Sequence, residues 1–98
     1  SSLTKLCLAS LIMQYVELEQ ISVAKEIYQE LELLIDDNYG SASFIGKIAR
    51  MYISEKDYYR AKQCLDKGWK RAENRIDSVG LYFSAAELMS VLGEEKEA

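Results

Sequence analysis

The chain has 98 residues, 49% hydrophobic and 29% charged, with a formal net charge of −4 and neither histidine nor proline. That length allows one small domain with a modest core, and the acidic balance argues against nucleic acid as the main ligand. No apolar run approaches the ~18 residues of a membrane span, and without histidine the commonest general base and metal ligand is missing.

Apolar residues recur at spacings of three and four almost throughout, the mark of amphipathic helices, and no segment sustains the alternation of a strand. The first stripe runs Leu8, Leu11, Ile12, Tyr15, within an opening "SSLTKLCLASLIMQY" whose lone Lys5 does not make a secretory signal. The second is Ala24, Ile27, Tyr28, Leu31, Leu34, and the third Ile45, Ile48, Ala49, Tyr52. The fourth is Ala61, Cys64, Leu65, Gly68, Trp69, Ala72, and the fifth Tyr82, Ala85, Ala86, Met89, Leu92. Breaks are expected near 17–20, 36–41, 54–57, 74–80 and 93–95. Asn38, Gly40 and Ser41 bring turn and cap chemistry to the longest of the first three. Asp77 or Ser78 is expected to N-cap the fifth helix and Gly93 to close it. Connections this short make consecutive antiparallel hairpins, so the fold class is all-α.

Small and aromatic residues repeat along these helices. Ala49, Tyr52, Ala61, Leu65 and Gly68, moved back by 37 positions, fall on Ile12, Tyr15, Ala24, Tyr28 and Leu31. Moved forward by 37, the first three fall on Ala86, Met89 and Ala98. Self-similarity at such a period is the signature of a helical solenoid. Packing explains the residue types: small side chains let two helices approach, and the tyrosines and leucine fill the space between hairpins.

In "ARMYISEKDYYRAKQCLDKG", "AAELMSVLGEEKEA" and "LIMQYVELEQISVAKEIYQEL" the chain resembles the tetratricopeptide repeat (TPR) family, whose unit is a helix–turn–helix of about 34 residues. It departs from that family in lacking proline and in its period of 37. The resemblance implies a short right-handed solenoid of about 2.4 repeats in a single domain, 1–98. Repeat one would span about 5–40, repeat two about 42–78 and a partial repeat three about 79–98. The third would stop where its second helix begins, which suggests a fragment of a longer array.

The same resemblance implies binding of a peptide or partner protein on the concave surface lined by the first helix of each repeat. Its inner-face positions hold Leu6, Ala9 and Met13, then Ser43, Gly46 and Arg50, then Val79, Phe83 and Glu87. The carboxylate clamp of some family members would need bases and asparagines where this chain has Ala9, Met13, Lys47, Val79 and Ser84. Only Lys47 is basic, so that function is not expected. The binding candidates are therefore Met13, Lys47, Arg50, Phe83 and Glu87, with apolar anchors and Arg50 receiving a short helix or extended segment.

No catalytic, metal or cofactor constellation stands out. Asp36 and Asp37 or Glu94 and Glu95 sit at expected turns, and Cys7 and Cys64 lack metal-ligand spacing and fit a reducing, cytoplasmic setting. Charge is uneven, with acids crowding 17–37 and bases 56–75, among them Lys67, Lys70, Arg71 and Arg75. Pairing of the two segments makes self-association or a scaffold role the alternative to a peptide groove. A ligand-sensing regulatory segment of a larger protein is a further one.

Overall fold

The computed structural model describes residues 2–73 and 75–97, the side chains of 75, 77 and 94–97 excepted. Five helices follow in order: α1 (Ser2–Glu17), α2 (Ile21–Glu32), α3 (Ala42–Ser54), α4 (Tyr58–Arg71) and α5 (Arg75–Glu97). No strand occurs among the described residues, so the chain is all-α. It divides into two compact units, Ser1–Gly40 and Ser41–Ala98.

The first unit is the hairpin of α1 and α2. Ala9, Ile12 and Val16 of α1 and Ala24 and Leu31 of α2 are buried. Ile12, in a position where the repeat calls for a small residue, is fully buried all the same. The second unit is the hairpin of α3 and α4, with α5 packed on both. Here α3 is the central element: Ala42, Phe44, Ile45, Gly46, Ile48, Ala49, Met51 and Ile53 are all buried. Ala61, Leu65 and Gly68 form the buried stripe of α4, with Cys64 and Ala72 half-buried beside them.

The two hairpins turn in the same way, bond for bond. In the first, Leu18 N donates to Gln14 O (3.0 Å), Glu19 N to Val16 O (3.0 Å) and Gln20 N to Tyr15 O (2.9 Å). Moved by 37 positions, Glu55 N donates to Met51 O (3.2 Å), Lys56 N to Ile53 O (3.0 Å) and Asp57 N to Tyr52 O (2.9 Å). These bonds satisfy the orphan carbonyls of a helix C-terminus and require a left-handed residue at the turn. Glu19 (φ 59°) and Lys56 (φ 64°) take that conformation without being glycine. The next helix starts alike as well, with Ala24 N on Gln20 O and Ala61 N on Asp57 O, both at 3.1 Å. Asp57 adds a side-chain cap, its Oδ1 accepting from Arg60 N at 3.2 Å. The repeat of 37 is thus one of backbone conformation as well as of residue type.

Between α2 and α3 the break runs from Leu33 to Ser41, and the expected turn chemistry is there. Asp36 Oδ1 accepts from Asn38 N (2.8 Å), Gly40 has φ 109°, and Ser41 Oγ caps α3 by accepting from Phe44 N (3.2 Å).

α5 departs from the expectation in three ways. It starts at Arg75, so Asp77 and Ser78 lie inside it and neither is its N-cap. It continues through Gly93 to Glu97, so no turn occurs at 93–95; a single glycine costs only about 1 kcal/mol in a helix and does not end it. Its buried face is Leu81, Ser84 and Leu88, with Ala85 and Val91 half-buried, while Tyr82, Ala86 and Met89 of the expected stripe are exposed. Relative to α3 the packed positions recur at 36: Ile45, Ile48, Ala49 and Tyr52 correspond to Leu81, Ser84, Ala85 and Leu88. The packed positions of α5 are therefore shifted by one residue from the expected 37 spacing, and Ala98, the last expected site, lies outside the described residues.

A close approach of backbones sets that register. A Cβ on Gly46 would lie 3.3 Å from Gly80 C and 3.5 Å from both Gly80 O and Leu81 N. Only glycine lets α3 and α5 meet this closely. One turn further along α5, Ser84 Oγ donates to Gly46 O at 2.9 Å and is satisfied although buried. Leu81, fully buried, lies where a Cβ on Gly68 would stand, so α4 receives α5 through the second glycine. Gly46 is thus a packing residue, not an inner-face contact as expected. At the edge of this contact Trp69 meets Tyr82 edge to face, with centroids 4.9 Å apart and planes at 65°.

Candidate functional site

Four of the five binding candidates sit in the second unit, where α3 and α5 lie side by side. Lys47 and Arg50 occupy successive turns of one face of α3; Phe83 and Glu87 do the same on α5. Burying Ile48 and Ala49 on one side of α3 and Leu81, Ser84 and Leu88 on one side of α5 turns these four outward. Arg50 Nε lies 3.7 Å from Glu87 Oε2, with both side chains partly exposed. An ion pair at this length and exposure contributes little stability, about 0–1 kcal/mol, and opens easily.

Lys47 is held below its usual pKa, first by partial burial and then by the nearby positive charge of Arg50. Two bases that crowd each other in this way gain when a negative group arrives. Phe83, one turn before Glu87 on α5, has 73% of its surface exposed. An apolar ring and a cationic pair on one face suit a partner segment that carries an acidic and a large apolar side chain. Val79 is half exposed on the same face, one turn before Phe83.

Met13 belongs to the first unit, half-buried on α1. The other inner-face positions divide: Leu6 and Ser43 are exposed, whereas Ala9 and Gly46 are buried and unavailable to a ligand. On α1, Leu6, Cys7, Ser10, Leu11 and Gln14 line an open depression of about 470 Å³.

The sequence reading missed how much apolar surface α5 leaves outside. Ile76 is 84% exposed and Met89 73%, and Tyr82 is also largely exposed. The signal was present, since apolar residues occur on both sides of this helix, but the stripe was assigned to one side only.

Among the described residues no group of three potential metal ligands gathers in one place, and no helix is long and apolar enough to cross a membrane. Cys7 and Cys64 are free thiols. Burial pushes the Cys64 thiol up to about 11, outweighing the opposing pull of Lys67, so it stays protonated and a poor nucleophile. In the basic cluster Lys70 is exposed and Lys67 and Arg71 half-buried on α4.

No family model matches the chain, and neither a curated protein nor a solved structure shows significant similarity to it.

Proposed function

We propose that this chain is a non-enzymatic protein-interaction module built from hairpins of the TPR kind, and that it binds a partner on the outward face shared by α3 and α5. The observation that carries this reading is the exposed Phe83 together with Lys47, Arg50 and Glu87, on two helices locked together by the Gly46–Gly80 contact. A rigid platform lowers the ordering cost of binding, and large apolar side chains in such a setting supply most of the affinity. The bond-for-bond repetition of the hairpin turn supports the family reading. The partner segment is a short amphipathic helix or extended stretch, with an apolar side chain for Phe83 and Val79 and a carboxylate for Lys47 and Arg50.

The test uses a displayed library of random short peptides, selected on the immobilised chain. Enriched peptides, synthesised and titrated at low chain concentration, should contain an acidic residue near an apolar one. They should lose about tenfold or more in affinity to Phe83→Ala and to Arg50→Glu. Unchanged affinity for both variants would refute the assignment of the site.

A further inference from the structure

The outward face of α5 has a self-complementary order of side chains. Reading along the helix, Ile76, Val79 and Phe83 are large and exposed, and Ala86, Ser90 and Gly93 are small and exposed. The bulk is therefore all in the first half of the stripe and the space all in the second. If a second copy of the helix is laid antiparallel across the first, with the two-fold axis between Ser84 and Ala85, three layers form. Ile76 comes level with Gly93 of the partner copy, Val79 with Ser90 and Phe83 with Ala86, and each layer recurs on the far side of the axis. Gly93 has open space where a Cβ would be, so nothing within its own copy fills that gap. Parallel pairing would instead set bulk on bulk and leave the small half unfilled.

We propose that the partner for this face is a second copy of the chain, bound through an antiparallel, two-fold symmetric α5–α5 contact. The proposal rests on the reading of the α3–α5 face as a binding surface and names its occupant. An isologous contact uses the same patch on both copies, which is what a stripe with this internal symmetry provides. Large side chains set into gaps over small ones give the close packing that helix pairs require.

The contact is small. Four large side chains per copy (Ile76, Val79, Tyr82 and Phe83) bury roughly 1,000 Å² at most over both copies, at the lower edge of stable interfaces. The dimer is therefore expected to dissociate in the micromolar range and to exchange with other ligands of the face.

Sedimentation of the whole chain over about 1 to 500 μM would show this as a rise of mass from 11.2 kDa towards twice that value. Phe83→Glu should shift the midpoint at least tenfold, with the helical circular dichroism unchanged because the residue is exposed. Orientation is read by disulfide trapping in a background of Cys7→Ser and Cys64→Ala. Copies carrying only Ile76→Cys are mixed with copies carrying only Gly93→Cys. Antiparallel pairing gives the mixed disulfide and leaves either variant alone unlinked, since like positions are then about 26 Å apart. A mass of one copy at every concentration would overturn the proposal, as would disulfides between like positions or a dimer indifferent to Phe83→Glu. If the chain stays monomeric while selected peptides still bind through Phe83, the self-pairing fails and the binding-surface reading stands.

Discussion

The paired substitutions Gly46→Ala and Gly80→Ala separate backbone packing from helix propensity. Each replaces a helix-interior glycine, and each gains about 1 kcal/mol of intrinsic helix stability. At Gly80 nothing lies within 4 Å of the new methyl, so that gain should appear almost whole. At Gly46 the methyl lies 3.3 Å from Gly80 C, a backbone atom that no rotamer change can move. The two helices must separate by a few tenths of an ångström, which also stretches the 2.9 Å bond from Ser84 Oγ to Gly46 O. Overpacking of this kind costs about 1–3 kcal/mol, and the weakened bond adds about 0.5–1 kcal/mol. Gly46→Ala should therefore lose about 0.5–3 kcal/mol net, and the two variants should differ by about 1.5–4 kcal/mol. Urea unfolding at low protein concentration, followed through Trp69 at the α4–α5 edge, measures the difference directly. If Gly46→Ala is as stable as Gly80→Ala, α3 and α5 are not in backbone contact and the register of α5 derived from it is wrong.

Other consequences follow from the packing and the turns. Ala61→Leu, at a fully buried position, should cost about 1–3 kcal/mol in the same unfolding assay, and no change would show that the assigned α4 stripe is misplaced. Lys56→Gly and Glu19→Gly should each stabilise by about 1 kcal/mol, since both residues hold left-handed backbone that glycine adopts without strain. A gain at only one of them would show that the two turns are not equivalent. Alkylation with iodoacetamide at pH 8, followed by mass spectrometry, should modify exposed Cys7 first. Cys64, pushed up to about 11, should react only once the chain unfolds or the pH approaches that value. The sign of the linkage is fixed by the raised pKa. Cys64 contributes its full stabilisation below the unfolded thiol pKa near 9, and loses it as the pH rises through 11.

Much of the helical framework was legible because α2, α3 and α4 are amphipathic, whereas α1 carries apolar residues all round and leaves Leu11 of its expected stripe exposed. In α3 and α4 the spacing of Ile45, Ile48 and Ala49 and of Ala61, Leu65 and Gly68 names the buried face correctly. The turn at Ser41 was legible too, because capping is a local matter of side-chain oxygen and backbone N–H. The register of α5 was not. Both of its sides are apolar, so periodicity offers two stripes, and the choice between them depends on Gly46 and Gly80 meeting across 34 positions. Gly93 misled for a related reason: glycine permits a helix to stop but does not compel it.

The site was legible in part. Arg50, Phe83 and Glu87 were placed on first helices of the expected hairpins, and the structure brings Arg50 and Glu87 within 3.7 Å. Their opening to solvent follows from the shifted α5 register, which buries Leu81 and Ser84 and turns Phe83 out. Gly46 was misassigned because a residue without a side chain reads alike as a ligand-facing gap and as a helix contact.

The binding-surface claim is tested most directly by mapping backbone amide shifts of the 15N-labelled chain on addition of a library-selected peptide, with the chain held below its self-association range. The account predicts shifts concentrated at Lys47, Arg50, Val79, Phe83 and Glu87, and little change on α2 or around Tyr59 on α4. Shifts centred on α1 and α2, with Phe83 and Arg50 silent, would contradict it.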